Sequence, residues 1–207
     1  MSIEKKENKI IIISSPSGAG KTTICNYLIR KIKNINLSVS YTTRRKKNNE
    51  LEGKDYFFVN KEKFNKLKKN KFFIETAIVF NNLYGSPYIN INKSFKKNKH
   101  VLFDIDWQGA RKLRKKFKSK EIIDFFILPP NNRELKRRLF KRGRDNKKEI
   151  NLRLSLALEE MRHYSEYKYV LINNNVKQTV DNLIKIIDYN VLIEKNKTIL
   201  KKSLKHI

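Results

Sequence analysis

Short apolar runs alternate with amphipathic stretches along most of the chain. Lys9 to Ser14 contains four consecutive isoleucines and reads as a strand with both faces covered, and Thr22 to Lys33 reads as the helix after it. The pattern recurs with His100 to Asp104 as strand, Gln108 to Lys116 as helix, Ile122 to Leu128 as strand and Asn132 to Lys141 as helix. A longer helix is predicted over about Lys148 to Tyr164, a last core strand over Tyr169 to Ile172 and a last core helix over Val176 to Tyr189. Strands that alternate with helices in this way predict an open α/β sheet of parallel strands.

Two regions break the rhythm. Between Ser40 and about Tyr88, aromatic runs (Tyr56 to Val59 and Phe72 to Glu75) flank a basic segment, Lys61 to Asn70, in which Phe64 and Leu67 are spaced as on one helix face. This stretch reads as an inserted α/β subdomain. The tail, Lys195 to Ile207, is basic with spaced Ile199, Leu200 and Leu204, and reads as a solvated extra helix.

Charge alters the picture less than its size suggests. The 207 residues carry 48 Lys+Arg against 20 Asp+Glu, a formal net charge of +28, which taken alone points to a polyanionic partner. The excess lies in lysine, 36 against 12 arginines, and Lys, Asn and Ile together fill 85 positions. Those are residues of A/T-rich codons, so compositional drift accounts for most of the charge. One cysteine, Cys25, excludes an internal disulfide and a cysteine-rich metal site. The longest aliphatic run is far short of a membrane span and the N-terminus has no apolar signal core, so the expected location is cytoplasmic, with no membrane partner.

The segment Ser15, Pro16, Ser17, Gly18, Ala19, Gly20, Lys21, Thr22 follows a predicted strand and opens a predicted helix, the context a phosphate-binding P-loop needs. Its glycines let successive backbone N–H groups converge on phosphate oxygens, and the helix N-terminus adds positive potential. Lys21 would reach the β- and γ-phosphates of a nucleoside triphosphate, and the Thr22 hydroxyl would ligate Mg²⁺. The loop departs from the general pattern in having Ser15 where a glycine is usual. A triphosphate site does not specify a reaction; a kinase also needs an acceptor held in line with the γ-phosphate.

On that acceptor side the chain resembles guanylate kinase, a P-loop nucleoside monophosphate kinase that moves phosphate from ATP to GMP. The resemblance rests on Ser38 to Arg44, Gly53 to Val59, Phe73 to Glu75, Tyr84 to Ser86 and Asp104 to Gly109, in the family's order and spacing. It implies a guanylate kinase-like domain over residues 8–188: a P-loop NTPase-type core (8–39 and 89–188), a GMP-binding insertion (40–88) and a helical lid at about 137–153, followed by a basic extension (189–207). It further implies ATP with Mg²⁺ as donor, and GMP and dGMP as acceptors.

By the same resemblance Arg44, Tyr56 and Tyr84 would hold the GMP phosphate, a guanidinium fork with two phenol donors. Glu75 would accept from guanine N1–H and N2–H₂, and Ser40, Gly85 and Ser86 would meet the rest of the base. Adenine, with an unprotonated N1, would leave that carboxylate unpaired. The family's second phosphate-binding arginine is Lys47 here, which keeps the charge and loses the fork, so weaker GMP binding than in relatives with arginine is expected.

Asp104 and Asp106 would lie near the metal and the acceptor, although the residues alone read Asp106 equally well as a helix cap. Arg138, Arg142 and Arg153 would be the lid arginines that reach the triphosphate, with Lys21, Arg44 and Asp104 completing the catalytic set. Asn173 fits either an adenine contact or a turn. Homo-oligomerisation is left open, and no specific nucleic-acid partner is expected. Three other readings stay open at this point: a non-catalytic module of the same fold, a basic nucleic-acid-binding protein, and a P-loop kinase with a sugar-phosphate acceptor.

Overall fold

The computed structural model describes residues 8–141 and 147–203. β1 (Ile10–Ser14) is flanked by β7 (His100–Asp104) and β8 (Ile122–Leu128); β2 (Ile35–Leu37) lies beyond β7 and β9 (Tyr169–Ile172) beyond β8. All four pairings in this five-stranded sheet are parallel. The isoleucine run divides between two cores, as strand geometry requires of a doubly covered sheet. Ile11 and Ile13 pack with α1 (Lys21–Lys31) and with Val180, Leu183 and Ile187 of α7 (Val176–Ser203). Ile10 and Ile12 face the other way, with Ile91 of α3 (Ile89–Lys96) and with Ala110 and Leu113 of α4 (Trp107–Lys116).

Residues 41–87 form a second sheet in the order β4 (Phe57–Phe58), β3 (Tyr41–Thr42), β6 (Asn82–Pro87), β5 (Phe73–Val79). β3 runs parallel to β4 and antiparallel to β6, so the sheet is mixed. The basic segment folds as α2 (Lys61–Lys69), N-capped by Asn60, whose side chain accepts from the Lys63 N–H. Its Phe64 is fully buried and stacks on Phe73 with ring centroids 4.7 Å apart. A register shift between Phe73 and Glu75 interrupts the β5–β6 ladder and leaves Phe73, Ile74 and Glu75 all buried in succession.

The last helices are α5 (Asn132–Lys141), α6 (Lys147–Met161) and α7. Arg142, assigned to the lid from the resemblance, lies outside the described residues. The tail is not a separate helix. α7 continues unbroken through Ser203, because no Gly or Pro occurs after Val176 to stop it, and its second half leaves the core with Tyr189, Leu192, Ile199 and Leu200 exposed. Strands β2, β3 and β6 and helix α3 are additions to the elements read from the sequence.

Removing the Phe64 ring leaves a void under the second sheet. Phe64→Ala should cost about 3–5 kcal/mol of stability, measured by urea denaturation.

Candidate active site

Between the two sheets lies an open cleft of about 1390 Å³, with the loop after β1 on one side and residues of the second sheet on the other. Gly18 and Gly20 adopt φ of 91° and 97°, a backbone that side chains rarely permit. Leu135 of α5 would come within 3.0 Å of a Cβ on Gly18, and the Asn173 amide within 2.8 Å of one on Gly20. Helix α1 starts at Lys21 with no side-chain cap and no acidic residue in its first turn, so its leading N–H groups face the cleft unclaimed by side chains.

Lys21 projects into this space with its side chain 21% exposed; its Nζ lies 2.6 Å from Asp104 and donates to the Ile105 carbonyl. Burial works against the ammonium charge, and Asp104 more than restores it, so Lys21 stays firmly protonated. Thr22 is exposed at the same helix start and lines the cleft. Among the described residues no group of three or more His, Cys, Asp or Glu is placed to cage a metal. The exposed Thr22 hydroxyl is an oxygen donor of the kind magnesium accepts.

Across the cleft, Arg44 makes a paired contact with Glu50, Nη2 donating to Oε1 at 2.7 Å and Nη1 to Oε2 at 3.0 Å. The Arg44 guanidinium also lies 5.3 Å from the Tyr56 ring centroid, and the Tyr56 and Tyr84 rings meet edge to face at 5.9 Å. Burial, helped by the charge of Asp104, pushes the Tyr56 phenol upward, so it remains a neutral donor.

The bulge in β5 sets Glu75 directly opposite Ser86. The Ser86 hydroxyl donates to Glu75 Oε1 at 2.6 Å, and the Ser40 hydroxyl lies 3.0 Å from that of Ser86. Glu75 is 4% exposed and still lines the cleft. Burial pushes its carboxyl up to about 7 against the Ser86 bond, with the charge of Asp106 adding to the rise. Gly109 is the close neighbour: a Cβ there would sit 2.8 Å from Glu75 Oε2.

A family model described as "Guanylate kinase" matches residues 7–190. The chain belongs to the guanylate kinase family. The guanylate kinase of Coxiella burnetii is 42% identical over 178 residues, covering 86% of this chain and 85% of that protein. That of Wolbachia pipientis wMel is 43% identical over 184 residues, covering 89% and 91%. The crystal structure of guanylate kinase from Anaplasma phagocytophilum superposes with a TM-score of 0.75 at 36% identity, covering 89% of this chain and 87% of that one.

Set against this family frame, most residues expected at the site do converge on the cleft: Ser15, Pro16, Ser17, Gly18, Gly20, Lys21 and Thr22 on the donor side, and Ser40, Arg44, Lys47, Tyr56, Glu75, Tyr84, Asp104 and Asp106 beyond, with Arg153 above them. Gly85 and Ser86 lie one layer behind, the latter acting through Glu75. Asp106 is the N-cap of α4, accepting from the Gly109 N–H at 2.9 Å and from the Gln108 amide at 3.0 Å.

Three expected donor-side contacts are placed elsewhere. Ala19 is buried and does not line the cleft. Asn173 is 1% exposed and donates to the Ala19 carbonyl at 2.8 Å while accepting from the Thr179 hydroxyl, so its side chain braces the loop. Arg138 donates to the same carbonyl, to the Asn173 carbonyl and to Glu134, which turns its guanidinium to the back of the loop. Cys25 is buried in the core, as a packing residue should be.

Two residues were not foreseen from the sequence. Glu50 orients Arg44 and accepts from the Lys47 N–H, and Glu160 of α6 accepts from the Ser17 N–H at 2.9 Å. No sequence signal singled out either one: Glu50 is followed closely by Glu52 and Asp55, and Glu160 stands beside Glu159.

Proposed function

We propose that this chain transfers the γ-phosphoryl group of ATP to GMP, giving ADP and GDP. The carrying observation is that a charged Lys21 after β1, and Glu75 and Ser40 joined through the Ser86 hydroxyl behind them, line one cleft. In the proposed reaction an oxygen of the GMP phosphate attacks the γ-phosphorus as the bond to the ADP oxygen breaks, with no covalent enzyme intermediate.

Lys21 and the uncapped start of α1 would hold the donor phosphates and offset the negative charge of the transferring group. Arg44, presented by Glu50, would take the acceptor phosphate together with the Tyr56 and Tyr84 hydroxyls. Glu75 as a carboxylate would accept the guanine N1–H and N2–H₂, its rotamer fixed by Ser86 and by the bare backbone of Gly109. Arg153 would reach the phosphates from the α6 side. Thr22 would hold magnesium with the ATP phosphates, and the ion would supply Lewis-acid neutralisation of phosphate charge. Asp104 keeps Lys21 ionised and oriented until a triphosphate takes over part of that pairing. We assign 40–88 as the acceptor-binding insertion and the α5–α6 region as the lid, with dGMP as a second acceptor.

Coupled measurement of ADP formation with GMP, dGMP and AMP tests the assignment. Turnover with GMP should exceed that with AMP by at least about a hundredfold, and Lys21→Ala should lower it by at least about a hundredfold with the fold retained by circular dichroism. Equal use of AMP defeats the guanine reading.

The Glu75 carboxyl gives the reaction a pH signature. Above about 7 it is ionised and accepts from guanine; below that it gains a proton and loses an acceptor lone pair. The KM for GMP should therefore rise as pH falls from about 7 to about 6, and Glu75→Gln should remove that rise, leaving only the dependence that sets in as the GMP phosphate itself gains a proton at about pH 6.

Lys47→Arg should lower the KM for GMP several-fold without changing kcat, since it restores a planar fork; an unchanged KM shows that Lys47 does not touch the phosphate.

A further inference from the structure

One face of α6 reaches both sides of the cleft. Near its C-terminal end, the Glu160 carboxylate leaves the helix to accept from the Ser17 N–H in the middle of the phosphate loop. Two turns earlier, about 10 Å along the axis, Arg153 places its guanidinium 5.5 Å from the ring centroid of Phe80. Phe80 sits in the tight connection between β5 and β6, at φ 47°, and so belongs to the opposite wall. Residues seven apart share a helix face, so the loop contact and the hairpin contact are carried by one stripe.

The remaining contacts of α6 fix how it can move. Ala157, Leu154 and Met161 pack on Leu135 and Leu139 of α5, and those two leucines also close over the missing side chain of Gly18. The α5–α6 pair is thus seated on the phosphate loop by an apolar contact at Gly18 and a polar one at Ser17. The polar contact has direction and charge. Lys21, Asp106 and His163 are the charged or titratable groups that bear on Glu160.

We propose that Glu160 is a positioning residue for the phosphoryl transfer: its hydrogen bond to Ser17 ties α6 to the phosphate loop, so that donor binding at the loop and the placement of Arg153 are set together. The proposal rests on the phosphotransferase reading above. Without the tie the loop loses a charge-assisted partner, and Arg153 is carried on a helix no longer indexed to the donor.

The test compares the full-length wild type with Glu160→Ala, Glu160→Gln, Arg153→Ala and the Glu160→Ala/Arg153→Ala pair. ADP binding is read by calorimetry, kcat and both KM values by coupled assay, and Tm by calorimetric scan. Glu160→Ala should weaken ADP binding and raise the KM for ATP about tenfold, and the KM for GMP should change by less than about twofold on the same scale. Glu160→Gln, which keeps an oxygen acceptor of the same reach, should recover ADP affinity to within about threefold of wild type. The kcat losses of Glu160→Ala and Arg153→Ala should be markedly less than additive.

The proposal is overturned by unchanged ADP affinity in Glu160→Ala, by additive kcat losses, or by Glu160→Gln being as impaired as Glu160→Ala. Parallel rises in both KM values that track a loss of Tm also overturn it, because they reduce Glu160 to a packing residue. Should Glu160→Ala not fold, the affinity of Glu160→Gln and its additivity with Arg153→Ala decide by the same criteria. ADP binding needs no acceptor, so a wild type that binds ADP yet leaves GMP unphosphorylated defeats the acceptor assignment and, with it, the proposal; unchanged ADP affinity in Glu160→Ala alongside an active wild type defeats the Glu160 proposal alone.

Discussion

Lys21 has to carry a charge in a place that disfavours charge, and Asp104 at 2.6 Å is what allows it. That one pair constrains much of the chain. Asp104 ends β7, whose parallel register sets it beside Ile13 of β1, and Lys21 opens the helix reached through the loop after β1. A parallel partner cannot follow a strand directly, so the chain must travel before β7 can return beside β1. The intervening length holds the whole second sheet. The second-sheet wall of the cleft is therefore built inside the crossover that brings the counter-ion of Lys21 into place, and the two halves of the cleft share one topological requirement.

What was legible in the sequence follows from how far each signal reaches. β1, β7, β8, β9 and α5 are long runs of one period with clear breaks, and their limits were read nearly to the residue. The glycines Gly18 and Gly20 were legible because left-handed backbone before a helix has few other uses. β2 is three residues and β3 two, too short to express any period. Glu75 could be found only through resemblance, because the bulge that buries it breaks the alternation which would have declared it. Arg138 and Asn173 illustrate a second limit: both sit beside the phosphate loop as expected, yet both spend their donors on the Ala19 carbonyl. Proximity is encoded by motif, whereas the side of a loop that a donor meets is settled by packing.

The basic composition looks different once the acids are located. Glu75, Asp124 and Asp104 are buried or nearly so, Glu50 is paired with Arg44, and Glu160 accepts from the Ser17 N–H. Asp124 pairs with Arg114, which also meets Glu166, while Glu166 holds Arg111 and His163. Several of the scarce carboxylates thus stand where a positive group or an N–H has to be answered.

The unfinished start of α1 has a thermodynamic corollary. A helix whose first N–H groups find no side-chain partner in the native fold leaves them to water or to an anion from outside. Such an anion binds the folded chain and not the unfolded one, so it shifts the folding equilibrium by mass action, by about 2.7 kcal/mol at a hundred times its dissociation constant. The protein's resistance to heat and to proteolysis then becomes a function of the nucleotide pool around it, and a cell depleted of nucleotides would hold less of this chain for reasons that have nothing to do with its synthesis.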